Sequence, residues 1–118
     1  MTPAELARRI EDFRAAAEVE ADQMKDSQLV LLRLLGLYDS FDESEQIAAW
    51  TVFRDWLRSD DEGKRWDAEA VIADRSIIEL LPDLEVLAGR LADMDTPGAP
   101  YELAKIRRLR ERLLRESP

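Results

Sequence analysis

Apolar residues recur every three or four positions along most of this chain, and no segment shows sustained strand alternation. The first such segment begins after Thr2, which can cap a helix with Pro3 at its first position and Glu5 at the capping-box position. The pattern predicts a helix from Pro3 to about Lys25. Its apolar stripe consists of Leu6, Ile10, Phe13, Ala17 and Met24.

The second segment is apolar on every helical face. A helix is predicted from Gln28 to about Tyr38, with Asp26 or Ser27 as its cap. Helices that are apolar all round are usually buried, so we expect this one at the centre of the core. Its aliphatic residues are Leu29, Val30, Leu31, Leu32, Leu34, Leu35 and Leu37.

Two helices carry the three tryptophans. The third helix is predicted from about Glu43 to Arg58, with Asp42 and Glu45 as a capping box. We expect Trp56 at the edge of its buried face, which comprises Ile47, Trp50, Phe53 and Leu57. After the polar break Ser59–Gly63, a fourth helix runs to about Asp74. Its expected buried side comprises Trp66, Ala70 and Ala73, with Val71 and Ile72 beside them.

Two further helices complete the chain. The fifth is predicted from Ser76, although Pro82 within its first two turns either kinks the entry or marks the true start. The sixth, Tyr101 to about Arg115, follows the Pro/Gly-rich linker Thr96–Pro100. The expected fold class is therefore all-α, with about six helices in antiparallel hairpins. We expect one domain, in which an acidic helical body (1–95) and the linker (96–100) precede a basic C-terminal helix (101–116).

Residues 63–94 carry a repeat-like pattern. They read GKRWDAEAVIADRSIIELLPDLEVLAGRLADM, in which an Arg precedes small and aliphatic residues, and Leu-Pro-Asp-Leu opens a Leu-rich helix. This text resembles a HEAT-like repeat of the short bacterial type. The resemblance implies paired antiparallel helices that stack into an α-solenoid and bind proteins, sometimes nucleic acids. A compact helical bundle is the alternative architecture.

Composition narrows the chemistry. The 118 residues include no histidine and no cysteine. This excludes nucleophiles activated by histidine, metal sites built from thiolates or imidazoles, and disulfides. We expect no catalytic residue, no metal site and no cofactor, and therefore not an enzyme. Acidic clusters at Asp39–Glu45 and Asp60–Glu62 precede helices, where carboxylates cap the N-terminus. Capping is favoured there over a calcium or magnesium site, and the EF-hand pattern is absent.

The charge is uneven. The formal net charge is −9, and residues 1–100 hold 23 of the 26 acidic and 11 of the 17 basic side chains. The first hundred residues thus carry −12, and the last helix carries +3. Such a body repels phosphate backbones and attracts basic partners. No signal peptide or membrane span is visible, so we expect a cytoplasmic protein without membrane contact.

Three surfaces are candidates for binding. Glu11, Glu18 and Asp22 form an acidic line on the first helix that could face a basic protein. Trp56, beside Arg54 and Arg58, is the expected surface anchor, because aromatics and Arg are enriched at interface hot spots. The last helix presents a cationic face, which either neutralises the acidic helices or binds a partner. Its members are Lys105, Arg108, Arg112 and Arg115.

These features favour a non-enzymatic protein–protein interaction module, acting as a monomer or homodimer. One version is an inhibitor or immunity-type protein that covers a basic partner, because opposite charge speeds association. The first alternative is an acidic nucleic-acid mimic that regulates a DNA-binding enzyme. The second is a nucleic-acid-binding module that uses the basic last helix, which the acidic body disfavours.

Overall fold

A computed structural model describes residues 1–117 and shows only helices and their connections there. The all-α prediction, with six helices, is confirmed. Within these residues no helix is both long and apolar enough to cross a membrane. The elements are α1 (Pro3–Met24), α2 (Leu29–Ser40), α3 (Glu43–Leu57), α4 (Glu62–Arg75), a 3-10 turn (Ile78–Leu80), α5 (Leu81–Ala92) and α6 (Ala99–Glu116).

Side-chain caps fix the start of three helices. The Thr2 hydroxyl accepts a hydrogen bond from the Glu5 amide at 3.1 Å. Asp42 accepts from the Glu45 amide at 2.8 Å, and the Glu45 carboxylate accepts from the Asp42 amide at 2.9 Å. This reciprocal pair is the expected capping box. Asp61 caps α4 by accepting from the Lys64 amide, so both acidic clusters contribute helix caps.

The boundaries of α5 and α6 differ from the predicted ones. Ser76 does not begin a helix, since it has a left-handed conformation (φ 51°) and ends α4. The fifth helix begins at Leu81, with Pro82 in its first turn, where proline loses no hydrogen bond. Likewise α6 begins at Ala99, because Pro100 suits the first helical turn. The irregular segment before α6 therefore ends at Gly98, two residues before the end of the predicted linker.

The helices group into two compact units, one spanning Met1–Trp56 and the other beginning at Leu57. In the first unit α1 packs against α2. The prediction that α2 is buried on every face is wrong, since Leu32 is exposed and Val30 and Leu31 are half-buried. The principal buried side chains of this unit are Leu6, Ile10, Ala17, Leu29, Leu34, Leu35, Leu37, Tyr38, Phe41, Ala49, Val52, Phe53 and Trp56.

In the second unit α5 packs against α6. The α5 stripe is buried largely as expected, whereas α4 buries the side that carries Val71 and Ile72 instead of Trp66. Two charged residues of α4 and one of α6 are also buried, which the apolar pattern did not predict. The principal buried side chains of this unit are Leu57, Arg65, Ala68, Glu69, Val71, Ile72, Ile77, Leu80, Leu84, Leu87, Leu91, Ala99, Glu102, Ile106 and Leu113.

The tryptophans occupy positions different from those expected. Trp56, the expected surface anchor, is only 2% exposed, and its indole N–H donates to Glu11 at 2.5 Å. Trp66, expected in the core, is 38% exposed, and Trp50 is half-buried. The buried face of α3 is displaced by about one residue from the predicted arc, so that Ile47 is exposed. One residue rotates a helix by about 100°, which is enough to exchange an edge position for a core position.

Candidate binding site on helices α4 and α6

The site is built on a buried ion pair between α4 and α6. The Arg65 guanidinium donates from Nε to Glu102 Oε2 and from Nη2 to Glu102 Oε1, each at 2.9 Å. A third donor, Nη1, reaches the Ser59 carbonyl at 3.1 Å. Two parallel hydrogen bonds give this pair a fixed geometry, which suits a charge pair removed from water. It therefore fixes the register of the two helices.

Glu69 lies one helical turn after Arg65 and is 4% exposed. Burial raises the pKa of its carboxyl to about 9, and the adjacent Glu102 carboxylate adds to the shift. The positive charges of Lys105 and Arg65 act in the opposite direction without offsetting the burial. Glu69 is therefore protonated at neutral pH.

Glu102 behaves in the opposite way. Its own burial would raise its pKa, but hydrogen bonds from Arg65 and Glu69 outweigh that effect and hold the pKa below its usual value. Protonated Glu69 can donate its hydroxyl to ionised Glu102, as two neighbouring carboxyl groups do when they share a proton. The other oxygen of Glu69 then has no donor, since neither carboxyl oxygen meets one in the described chain.

Two aromatic side chains border this buried pair at the surface. Trp66 is 38% exposed on α4, and Tyr101 is 65% exposed at the start of α6. The Lys105 ammonium lies 5.3 Å from the Trp66 ring centroid and 5.9 Å from the Tyr101 ring centroid. Both distances are within cation–π range. We call these three side chains the aromatic face.

A cleft continues from the aromatic face along α4 and α6. Its volume is about 410 Å³, within the range of small-molecule sites. Glu69 and Asp74 contribute acidic groups to its lining, and small or aliphatic residues contribute apolar surface. The lining residues are Glu69, Ala70, Ala73, Asp74, Lys105, Ile106, Arg108, Leu109 and Arg112.

The predicted cationic face is divided by the fold. Lys105, Arg108 and Arg112 all line the cleft, whereas Arg115 is an exposed residue outside its lining. Arg112 is held in place, because its Nη2 donates to the Ala73 carbonyl and its Nε lies 3.5 Å from Glu116 Oε1. The face is thus one wall of a cleft along most of its length.

The other predicted binding residues belong to different surroundings. In the first unit Glu11 accepts the Trp56 indole hydrogen bond, and Glu18 accepts from Arg14 at 2.6 Å. The acidic line is therefore partly used inside that unit, although Asp22 is exposed. The expected anchor Trp56 offers no surface. Its predicted neighbours Arg54 and Arg58 are half-buried and exposed, respectively.

The interpretation of the sequence missed Glu69 and Glu102, although a signal was present. Glu102 is in phase with Ile106, Leu109 and Leu113 on the apolar arc of α6. A charged residue at an apolar position of a helix indicates a buried partner of opposite charge. Arg65 and Glu69 occupy comparable positions on α4, four residues apart and in phase with Ile72. Reading the three positions together would have predicted the pair.

The site holds donors and acceptors but no cluster of metal ligands. No group of three or more acidic side chains within residues 1–117 could hold a metal ion. No family model, curated protein or solved structure matches the chain. The HEAT-like resemblance of residues 63–94 therefore stays a prediction, as does the choice between a solenoid and a bundle.

Proposed function

We propose that this chain is a non-enzymatic protein-binding module, and that the aromatic face is its contact surface. The observation that carries the proposal is the exposure of Trp66 and Tyr101 on either side of Lys105. Aromatic side chains supply most of the energy at protein interfaces, and they do so when a partner covers them. The cation between the rings adds a charge that selects the partner.

The local charge favours an acidic segment of the partner. Lys105, Arg108 and Arg112 outnumber Asp74 along the adjoining cleft, since Glu69 is neutral at pH 7. At physiological ionic strength charges act over about 8 Å, so a docked segment responds to these groups more than to the net charge of −9. A basic partner, and with it the inhibitor or immunity-type version, was expected from the net charge and from the acidic line on α1. That version stays a prediction.

Site-specific photo-crosslinking in the host cell tests the proposal. A photoreactive phenylalanine analogue placed at Tyr101 should yield a discrete protein adduct, which Trp66→Ala should abolish. The matched position is Val86, which is equally exposed on α5 of the same unit. Circular dichroism of each variant confirms that the helices are retained. Identical adducts at both positions, or adducts that persist in Trp66→Ala, would contradict the proposal.

A second candidate is single-stranded nucleic-acid binding by the same face. Stacking aromatics beside a cationic groove are the elements that such proteins combine, and Trp66 adds an aromatic that the sequence did not place near Tyr101. The acidic body opposes phosphate, so binding should appear at low salt and weaken steeply as salt rises.

Fluorescence anisotropy with a mixed-sequence single-stranded oligonucleotide distinguishes the two candidates. Nucleic-acid binding predicts a salt-dependent rise that Trp66→Ala and Arg108→Gln both reduce. A flat signal at low salt would remove this candidate and leave protein binding. The third hypothesis, a nucleic-acid mimic, gains no support from the geometry, because Glu11 and Glu18 both have partners within the chain.

A further inference from the structure

The cleft beside the aromatic face contains two buried polar groups without hydrogen-bond partners. One is the carbonyl oxygen that Glu69 retains when its hydroxyl donates to Glu102, and the other is the Nε–H of Arg112. The nearest carboxylate to that Nε, from Glu116, lies at 3.5 Å, which is long for a hydrogen bond. Since nearly all buried polar groups in native proteins are paired, these two mark places where a bound molecule would supply the missing partners.

The two groups require opposite chemistry from such a molecule. The Arg112 Nε–H is a donor and needs an acceptor. Glu69, with its hydroxyl directed to Glu102, retains a carbonyl oxygen and needs a donor. Arg112 is fixed to the Ala73 carbonyl, four residues beyond Glu69 on α4. Arg112 is thus held about one helical turn further along α4 than Glu69, so the body of the ligand must separate its two polar groups.

The remaining lining residues indicate the charge and the body of the ligand. Arg108 lies one helical turn before Arg112 and also lines the cleft, so the acceptor end faces two cations, whereas the Lys105 ammonium acts on Glu69. A carboxylate is the acceptor that an arginine binds best, because the two geometries match. Between the two ends the lining is apolar, formed by Ala70, Ala73 and Ile106. The body of the ligand is therefore apolar.

We propose that this cleft binds a small organic acid whose apolar body separates its carboxylate from a hydroxyl or amino donor. The carboxylate lies against Arg108 and Arg112. The donor meets Glu69, and the body covers Ala73 and Ile106. This site adjoins the aromatic face and shares Lys105 with it, but its existence does not depend on whether that face binds a protein.

A ligand titration of the full chain, followed by methyl NMR, tests the site. The probe is 4-hydroxybenzoate, in which a rigid apolar ring separates a carboxylate from a hydroxyl. We expect saturable shifts of the Ile106 and Leu109 methyl signals. Benzoate, which lacks the donor, should bind about tenfold more weakly, the effect of one hydrogen bond to a buried group. The uncharged 4-hydroxybenzyl alcohol should give no saturable shift.

Two arginine variants test the cationic end. Arg108→Gln removes a charge from the cleft and should weaken 4-hydroxybenzoate binding about tenfold. Arg107→Gln is the matched control, since Arg107 is exposed on the same helix and does not line the cleft. It should leave the affinity unchanged. Equal effects of the two substitutions would overturn the proposal.

Two variants of Glu69 test the donor end. Glu69→Gln keeps a carbonyl acceptor, so the preference for 4-hydroxybenzoate over benzoate should persist. Glu69→Met removes the acceptor, and the two acids should then bind equally. Should Glu69→Met fail to fold, the comparison of Arg108→Gln with Arg107→Gln still tests the site. No saturable shift in the wild-type chain, or no preference between the two acids there, would refute the site. A failure of crosslinking at Tyr101 would bear only on the proposed protein partner.

Discussion

The two units of this chain place a tryptophan in opposite environments. In the first unit Trp56 is buried, packs edge-on against Phe53 and donates its indole N–H to Glu11. In the second unit Trp66 lies at the surface under the Lys105 ammonium. The helical pattern alone favours the reverse assignment. The contacts of the surrounding helix therefore decide whether a tryptophan near the edge of an apolar arc is buried or exposed. For Trp56 these contacts include the Glu11 carboxylate, which accepts the hydrogen bond of the indole N–H.

Their buried charges differ as well. The first unit buries Arg14, whose guanidinium lies 5.6 Å from the Trp56 ring and pairs with the half-exposed Glu18. The second unit buries a complete ion pair and an additional acid. Removing charges from water is costly, and the two hydrogen bonds between Arg65 and Glu102, with that of Arg65 to the Ser59 carbonyl, offset that cost. Substitutions in the second unit should therefore have larger effects on stability and on its pH dependence.

The largest effect is expected at the buried ion pair. Arg65→Met leaves Glu102 without its counterion and should lower the free energy of unfolding by about 3–5 kcal/mol. Urea denaturation measures this. The double variant Arg65→Met/Glu102→Leu should recover much of the loss, because no buried charge remains. A loss below about 1 kcal/mol for the single variant would contradict the structural role of the pair.

The next effect concerns pH. Because the pKa of Glu69 is raised to about 9 in the folded chain, the unfolded chain loses this proton first as the pH rises above the usual range of a glutamate. The free energy of unfolding should therefore fall by about 4 kcal/mol between pH 5 and pH 8. Glu69→Gln should flatten that decline, which denaturation across this range measures.

The matched control is Glu79→Gln, at an exposed position of the same unit, and it should leave the decline unchanged. The lowered pKa of Glu102 affects the free energy of unfolding at acidic pH. Its contribution is complete above the usual pKa of a glutamate and is lost as the pH falls through the lowered value. Identical profiles for wild type and Glu69→Gln would contradict the protonated state of Glu69.

The tryptophan comparison predicts a smaller difference. Trp56→Phe removes the hydrogen bond to Glu11 and should destabilise the chain by about 1–2 kcal/mol. Trp66→Phe keeps a ring at a surface position and should cost less than about 0.5 kcal/mol. Thermal unfolding of the two variants provides the test. Equal losses would mean that the two environments do not differ as described.

The smallest effect is expected at an exposed ion pair. Arg110 donates to Glu85 at 2.8 Å, and both side chains are nearly half exposed. Exposed pairs are screened by solvent, so Arg110→Gln should change the free energy of unfolding by no more than about 0.5 kcal/mol. Chemical denaturation at low and high salt checks this. A loss close to that of Arg65→Met would show that burial does not make the Arg65–Glu102 pair more important for stability than the exposed pair.

Much of the secondary structure was predictable because its signals are local. Thr2 and the Asp42–Glu45 pair act on backbone groups within one turn, so they mark helix starts without any knowledge of the fold. The binding site was less predictable. Lys105, Arg108 and Arg112 were identified as a face from their spacing, but spacing on one helix does not reveal that another helix supplies Glu69 and Trp66 beside them.

By itself the sequence determined that the chain is helical, approximately where five of the six helices within residues 1–117 begin, and that histidine and cysteine chemistry is absent. Only the tertiary structure decided which arc of α3 and α4 is buried, and that Glu69 shares a buried environment with Glu102. The reason is physical. Helix formation depends on contacts within a few residues, whereas burial and protonation depend on groups far apart in the chain. Glu69 and Glu102 are separated in sequence by the rest of α4 and all of α5, and only the packing of these helices brings them together.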